Sequence, residues 1–173
     1  MIRVPWVLFS WNLLRAERQS ASPPEGLSLK IADRSDEREV QAVVSRAFSF
    51  DQQWAGAYKR IAEPLEQRIQ QAFRHQTLPA LALIHGSRII AASCLSTDEG
   101  SATHLLSGPC VLPEYRSRGL ASVLLAETLH QLQQAQLSVA RAFCMEGTTA
   151  SKFVYPKFGS VREKYPHEPF SER

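Results

Sequence analysis

Residues able to bind a diphosphate lie where an apolar strand pattern runs into a helical pattern. Arg116 and Arg118 flank Ser117, and Gly119 follows at the start of the helical residues. The first N–H groups of a helix have no intrahelical partner and carry the positive end of the helix dipole, so they attract an anion. Gly119 lets that anion approach the backbone, because it has no Cβ. The pattern predicts an anion site on the backbone N–H groups of residues 117–121.

A second basic and aromatic element, Phe153–Gly159, follows this junction along the chain. Arg116–Ala121 resembles the acyl-CoA pyrophosphate loop of the GNAT superfamily of N-acyltransferases, and Phe153–Gly159 resembles the later Tyr-x-Lys-x-Gly element of that family. The order and spacing of the two elements agree with the family. The resemblance is clearest over residues 103–164, extends back to Leu27 and is absent from the first 26 residues.

This resemblance implies acetyl-CoA or another acyl-CoA as the cofactor. It also implies that the fourth and fifth strands of the fold splay apart and that the pantetheine arm lies between them, bonded to the backbone of the fourth strand. Pro109 removes one donor from that strand. The cofactor-binding residues expected on this basis are Cys110, Val111, Arg116, Ser117, Arg118, Gly119, Leu120, Ala121, Thr148 and Tyr155.

The family's motif assigns Tyr155 as the general acid that protonates the departing thiolate. A phenol with a pKa of about 10 stays protonated at neutral pH, so it is a competent donor. The alternative is a tyrosine that only packs in the core or against CoA. Thr148 takes the position where the family often has a cofactor-binding asparagine, and its hydroxyl either bonds the cofactor or caps a helix.

The residues leave the general base open. Some relatives carry an acidic or histidine base at the position of Leu105, with His104 and Ser107 nearby in this chain. Glu146, just past the fifth strand, is a candidate base and is otherwise an exposed turn residue. A chain of water molecules is a further route for the proton.

Composition argues against several other classes. The net charge of +3 comes from 20 basic and 17 acidic residues, a balance that does not favour nucleic-acid binding. RNA binding through the few basic residues of the two motifs is the weakest alternative. The three cysteines form no Cys-x-x-Cys pair and the five histidines show no metal-ligand spacing, so we expect no metal and a cytoplasmic protein.

The apolar amino-terminal segment, Ile2–Leu14, needs its own interpretation. It is too short to span a bilayer, and Pro5, Ser10 and Asn12 interrupt it, so we expect no export signal and no membrane contact. A packing segment or a subunit contact, and through the latter a homodimer, are the interpretations kept. We divide the chain into residues 1–26, an apolar segment with its linker, and residues 27–173, the acyltransferase-like domain.

Hydrophobic periodicity predicts an α/β (α+β) fold. Its mixed, mostly antiparallel, twisted sheet would have six to seven strands flanked by helices, with a central parallel pair. The carboxyl end is short for the family, which continues into a seventh strand, and one hypothesis gives that place to residues 4–14. Strands are predicted over Leu27–Ala32, Ala80–His85, Arg88–Leu95, Thr103–Val111, Val139–Met145 and Ser160–Tyr165. A first helix, capped by Ser35 or Asp36, is predicted to run through Val40 to Ala47, and further helices over Glu63–His75 and Gly119–Gln134, with a short one after Thr148 or Thr149.

Two functions from different classes remain. The first is an N-acyltransferase, acting on a small-molecule amine or a protein amino group, whose acceptor is gripped around residues 48–58. Asp51 in that stretch could attract an ammonium group. The second is a non-catalytic module that binds or senses acyl-CoA, because the base is unassigned.

Overall fold

Seven strands and three α-helices build the fold of the described residues. The structure, a computed structural model, describes residues 5–15 and 21–170 of the chain. The predicted amino-terminal segment and linker, residues 1–26, therefore fall partly, at residues 1–4 and 16–20, outside the described part. In chain order the elements are β1 (Trp6–Asn12), β2 (Leu27–Ile31), α1 (Glu37–Ser49), α2 (Ala55–His75), β3 (Ala80–His85), β4 (Arg88–Leu95), β5 (Leu105–Val111), α3 (Leu120–Gln134), β6 (Val139–Met145) and β7 (Val161–Tyr165).

The first sheet has the strand order β2-β3-β4-β5, and all its neighbours are antiparallel. The predicted hairpin around Gly86 joins β3 to β4; Gly86 has a φ of 64°, in the region that a tight turn requires. Strand β4 is buried over Ile89–Leu95, because helices cover the sheet. Burial of both faces explains why this strand reads as a continuous apolar run and not as an alternating one.

The second sheet has the order β6-β1-β7, so the amino-terminal segment supplies its central strand. Trp6 lies opposite Met145 on one side and Tyr165 on the other, both antiparallel. Phe9 and Trp11 are buried in the main core of the chain. The apolar run at the amino end thus packs within its own chain, as a strand.

The predicted fold class is confirmed: the fold is mixed α/β, with mostly antiparallel strands flanked by helices. The strands form two sheets. Helix α2 begins earlier than expected, at Ala55, and Pro64 lies inside it. Proline usually marks a first helical turn, which misled the prediction. Here Ala57 and Ile61 continue the apolar face of Leu65 and Ile69, and burial of that face offsets the hydrogen bond that Pro64 cannot make.

Strands β5 and β6 belong to different sheets, so the parallel pair that was expected does not form a hydrogen-bonded ladder. The separation implied by the family resemblance is confirmed. The two strands meet near their amino ends, where the His104 N–H donates to the Arg141 carbonyl at 2.8 Å. The Arg141 N–H donates to Nδ1 of His104 at 3.1 Å, and the Thr103 hydroxyl donates to the same Arg141 carbonyl at 3.2 Å. Beyond this junction the strands diverge.

The buried His104 ring makes the junction sensitive to pH. Burial lowers the pKa of His104, and its Nδ1 accepts a hydrogen bond that requires an unprotonated nitrogen. The unfolded chain binds the proton more readily, so the stabilising effect is present above the unfolded pKa of about 6.5 and is lost as the pH falls. We expect the free energy of unfolding in urea to fall between pH 7.5 and pH 5.5.

His104→Gln should weaken this pH dependence, because glutamine can accept the same N–H bond without titrating. His75→Gln, the same change at an exposed histidine of α2, is the matched control and should keep the wild-type pH profile. An unchanged profile in His104→Gln would remove His104 from the explanation.

Candidate functional site

A cavity of about 640 Å³ lies where β5 and β6 diverge, between the α1–α2 loop, the start of α3 and the turn before β7. The splay of the two strands creates this space, because neither strand has a ladder partner on the facing edge. Among the residues predicted to bind cofactor, those that line it are Cys110, Val111, Arg116, Ser117, Gly119, Leu120, Ala121 and Tyr155. Arg118, Thr148 and Glu146 do not line it.

One end of the cavity is suited to an anion. Ser117 and Gly119 have φ angles of 63° and 75°, so the chain turns sharply into α3. The hydrogen bonds found in the described residues include none from the backbone N–H groups of residues 117–122. Most of these residues line the cavity, and the first N–H groups of a helix carry the positive end of its dipole. The Lys157 ammonium donates to the Ser122 hydroxyl at 2.6 Å and adds a positive charge there.

The two arginines of the loop have different surroundings. Arg116 lines the cavity, and its guanidinium donates to the Ala47 carbonyl at the end of α1 at 2.6 Å. Arg118 lies outside the cavity lining, donates to the Glu114 carbonyl at 3.3 Å and stacks over the Tyr115 ring at 5.2 Å. Arg116 therefore holds the loop to α1 while it keeps a positive charge at the cavity, and Arg118 mainly shapes the loop.

Tyr155 also lines the cavity, where its hydroxyl lies against Gly108 of β5. Its side chain is 5% exposed and contacts Phe9 and Trp11, with ring centroids 5.4 Å and 6.0 Å away. Burial raises the pKa of Tyr155 well above its usual value of about 10, so the phenol is protonated at neutral pH. The Trp11 indole N–H also donates to the Lys157 carbonyl at 2.9 Å, which ties β1 to the turn that follows Tyr155.

Gly108 makes room for the Tyr155 hydroxyl. It has a φ of 63°, in a strand whose pairing with β4 is irregular at this point. A Cβ at residue 108 would lie 1.8 Å from the Tyr155 oxygen, closer than any real contact. Glycine is thus needed here both for the backbone conformation and for the approach of the phenol.

Thr148 acts within its own turn. Its hydroxyl donates to the Met145 carbonyl at 2.9 Å and accepts from the Ser151 N–H at 3.2 Å, and the residue is buried away from the cavity. The side chain caps the short π-helix Ala150–Val154, which carries the chain into Tyr155. The structure therefore favours the capping interpretation of Thr148 over a cofactor contact.

The candidate bases are not brought to the cavity. Glu146 is exposed and pairs with Arg162 at 2.5 Å. His104 is fully buried in the junction of β5 and β6. Ser107 does line the cavity, but its hydroxyl already donates to the Gly108 carbonyl and accepts from the Cys94 N–H. Asp51 is the carboxylate found in the described lining, and it accepts a bond from the Gln53 N–H at 2.9 Å.

Two thiols line the cavity beside Tyr155. Burial raises the pKa of Cys144 to about 12 and raises that of Cys110 further. The thiolate is the nucleophilic form of cysteine, and it is scarcely populated at neutral pH with such values. The site therefore supports direct attack by an acceptor better than transfer through an acyl-cysteine.

The remaining wall of the cavity is aromatic. Phe48 and Trp54, from the stretch expected to grip the acceptor, pack edge to face at 5.0 Å. Trp6, Phe143 and Phe170 complete the wall, and sequence reasoning missed all three. No local motif links them, because they come from β1, β6 and the carboxyl end. Lys157 was also missed as a site residue, although it belongs to the Tyr-x-Lys-x-Gly element.

Comparison with known proteins agrees with this geometry. The sequence matches the model of the acetyltransferase (GNAT) family over residues 44–159. A search of curated protein sequences finds no match. In the part of the chain described, no helix is long and apolar enough to cross a membrane, and no cluster of three or more His, Cys, Asp or Glu could hold a metal.

Solved structures share the fold at low identity. A GNAT-family acetyltransferase from Colwellia psychrerythraea is 14% identical with a TM-score of 0.59, over 94% of this chain and 54% of its own. A GCN5-related N-acetyltransferase from Sphaerobacter thermophilus is 16% identical with a TM-score of 0.58, over 93% and 49%. A Drosophila protein is 15% identical with a TM-score of 0.59, over 92% and 48%. The chain spans about half the length of these proteins.

Gly108→Ala tests the contact beneath Tyr155. We expect it to destabilise the fold by about 1–3 kcal/mol more than Gly86→Ala does, because the added methyl group displaces a packed phenol. Gly86 is the matched control: its φ of 64° imposes the same backbone strain, and a Cβ there meets no atom within 4 Å. Urea unfolding of both variants measures the difference, and equal destabilisation would show that Gly108 serves only the backbone.

Proposed function

Because this chain belongs to the acetyltransferase (GNAT) family, we propose that it transfers an acyl group, most simply acetyl, from acyl-CoA to a primary amine. The observation that carries the proposal is the placement of free backbone donors at residues 117–122 and of protonated Tyr155 around one cavity. The donors suit the diphosphate of CoA and the phenol suits its sulfur. No other charged ligand accounts for both ends as simply.

The cofactor would enter along the gap between the strands. Its diphosphate would lie on the start of α3, near Arg116 and Lys157. Its pantetheine arm would run beside β5, whose alternate N–H groups on the edge facing β6 have no ladder partner. A donor on this edge near Cys110 can bond the thioester oxygen, where negative charge develops during attack. Pro109 supplies no such donor.

The reaction would be a direct displacement. The amine nitrogen attacks the thioester carbonyl carbon, the new N–C bond forms, and the C–S bond breaks. Tyr155 gives its proton to the leaving thiolate. The proton lost by the amine would go to water, because the described lining includes no imidazole.

A second candidate, a non-catalytic acyl-CoA sensor, is favoured by one observation: Glu146 and His104 lie away from the cavity. Thiol release from acetyl-CoA, measured across amino acids, polyamines, aminoglycosides and peptides, separates the two functions. Transfer to any of these amines supports the enzyme. Tight binding of CoA without turnover across the panel supports the sensor.

Partners and location remain part of the proposal. The acceptor is a small-molecule amine or a protein amino group, with no nucleic acid and no membrane involved. A homodimer stays a possible assembly in this proposal, while Trp6, Phe9 and Trp11 of the amino-terminal segment are buried within their own chain. A cytoplasmic location fits the three free, buried cysteines.

Tyr155→Phe tests the proposed general acid. We expect kcat to fall by about 10²-fold or more, because acid assistance to the leaving group is typically worth about 10²–10⁴. The CoA affinity, measured by calorimetry, should change little, since the ring and its packing remain. Tyr165→Phe on β7, outside the cavity lining, is the control. Near-normal turnover of Tyr155→Phe would remove this residue from the mechanism.

A further inference from the structure

A second cavity, of about 610 Å³, lies beside the first. Leu106 of β5 and Phe143 of β6 line both cavities, so the two spaces meet where the strands begin to diverge. The wall of the second cavity is built mainly from the second half of α2 and the turn that follows β4. A molecule in it would reach the gap between β5 and β6 from the side opposite the start of α3.

Arg68 brings a cation to the wall of the second cavity. Its guanidinium stacks over the Phe170 ring at 5.0 Å and donates one hydrogen bond, to the Pro169 carbonyl at 3.2 Å. Partial burial lowers the pKa of Arg68, which shows that its charge is incompletely solvated. The ion pairs found among residues 5–15 and 21–170 do not include Arg68. Its other N–H groups therefore have no anionic partner there.

Trp6 presents a second donor beside the same Phe170 ring. Its side chain is 4% exposed, and its ring lies 5.8 Å from that of Phe170 and 6.0 Å from that of Trp54. The buried indole N–H has no hydrogen-bond partner, although Trp6 lines the first cavity. Buried N–H groups are nearly always bonded in folded proteins, so an orphan beside a cavity points to a ligand oxygen.

Arg68 and Trp6 thus both contact the Phe170 ring, and both can donate a hydrogen bond to an oxygen. A carboxylate satisfies them best, because it accepts two parallel bonds from a guanidinium and has lone pairs to spare for an indole. Asp98 is a carboxylate in the wall of the second cavity, but its Oδ1 accepts from the Gly100 N–H within a turn. No ion pair of the described residues includes Arg68, so its charge is available for a substrate.

We propose that the acceptor amine carries a carboxylate, as a free amino acid does, and that Arg68 and Trp6 bind this carboxylate beside Phe170. This inference rests on the proposed acyl transfer. The amino group would then point past Leu106 and Phe143 toward the thioester. The aromatic wall would pack against the apolar part of the acceptor.

The test compares acceptors that differ only in this charge: glycine with glycinamide, and L-phenylalanine with L-phenylalaninamide. The ratio of kcat/KM for acid to that for amide is measured in the wild type and in Arg68→Gln, which cancels the different basicity of the amines. We expect Arg68→Gln to lower the ratio about tenfold or more, because a charge-assisted contact is lost. Arg60→Gln, at an exposed arginine of α2, is the control and should keep the ratio.

Trp6→Phe removes the indole N–H and should also lower the acid-to-amide ratio. Trp54→Phe makes the same truncation in the neighbouring ring and should leave the ratio unchanged, even if both rates fall. Unfolding midpoints and CoA affinities of all four variants verify that each is folded. A ratio that Arg68→Gln leaves unchanged, with transfer intact, overturns the carboxylate site alone.

Binding gives an independent readout if no amine is acylated. Ligand-observed NMR of glycine and L-phenylalanine with the CoA-bound protein should show contact in Arg60→Gln and a loss of contact in Arg68→Gln. Such a result without turnover supports the carboxylate site and contradicts the proposed transfer. No contact with either amino acid in the wild type overturns the carboxylate site.

Discussion

The divergence of β5 and β6 is the constraint on which the site depends. These strands are joined by hydrogen bonds only near His104 and Arg141 within the described chain, and then separate. A continuous ladder would fill the space with backbone bonds and leave no room for a ligand. The separation leaves an edge of β5 unpaired, with donors that a ligand can use. The same backbone groups that would join β5 to β6 in a ladder are therefore the ones left for a ligand.

Strand β1 stabilises the second sheet, because it is the central strand that joins β6 to β7. It lies between β6 and β7, and its Phe9 and Trp11 side chains form the floor under Tyr155. Burial of two large aromatic side chains contributes several kcal/mol, on the order of 1.5–3 kcal/mol each. The same strand brings Trp6 to the cavity. One element thus supports the second sheet, holds the phenol and lines the proposed acceptor site.

Local patterns were enough to predict much of this arrangement. The hairpin at Gly86 and the helix α3 follow from residues that are close in sequence. The proposal of an anion site before α3 rests on residues of the same local kind. Residues 4–14 could be put forward as a strand, but the partners of β1 could not be predicted. Trp6 pairs with Met145 and Tyr165, far along the chain, and any apolar strand could make such pairs. For the same reason the aromatic wall carried no sequence signal. From the sequence, Arg68 cannot be distinguished from the other charged residues of α2, because only the folded structure shows the cavity beside it.

The central claim is that backbone N–H groups at the start of α3 hold the diphosphate of CoA. Amide hydrogen exchange, followed by NMR with and without CoA, tests it at the atoms concerned. The account predicts slower exchange at residues 117–122 with CoA and no slowing there with pantetheine, which lacks the diphosphate. CoA binding with unchanged exchange at these amides, and protection elsewhere in the chain, would contradict it.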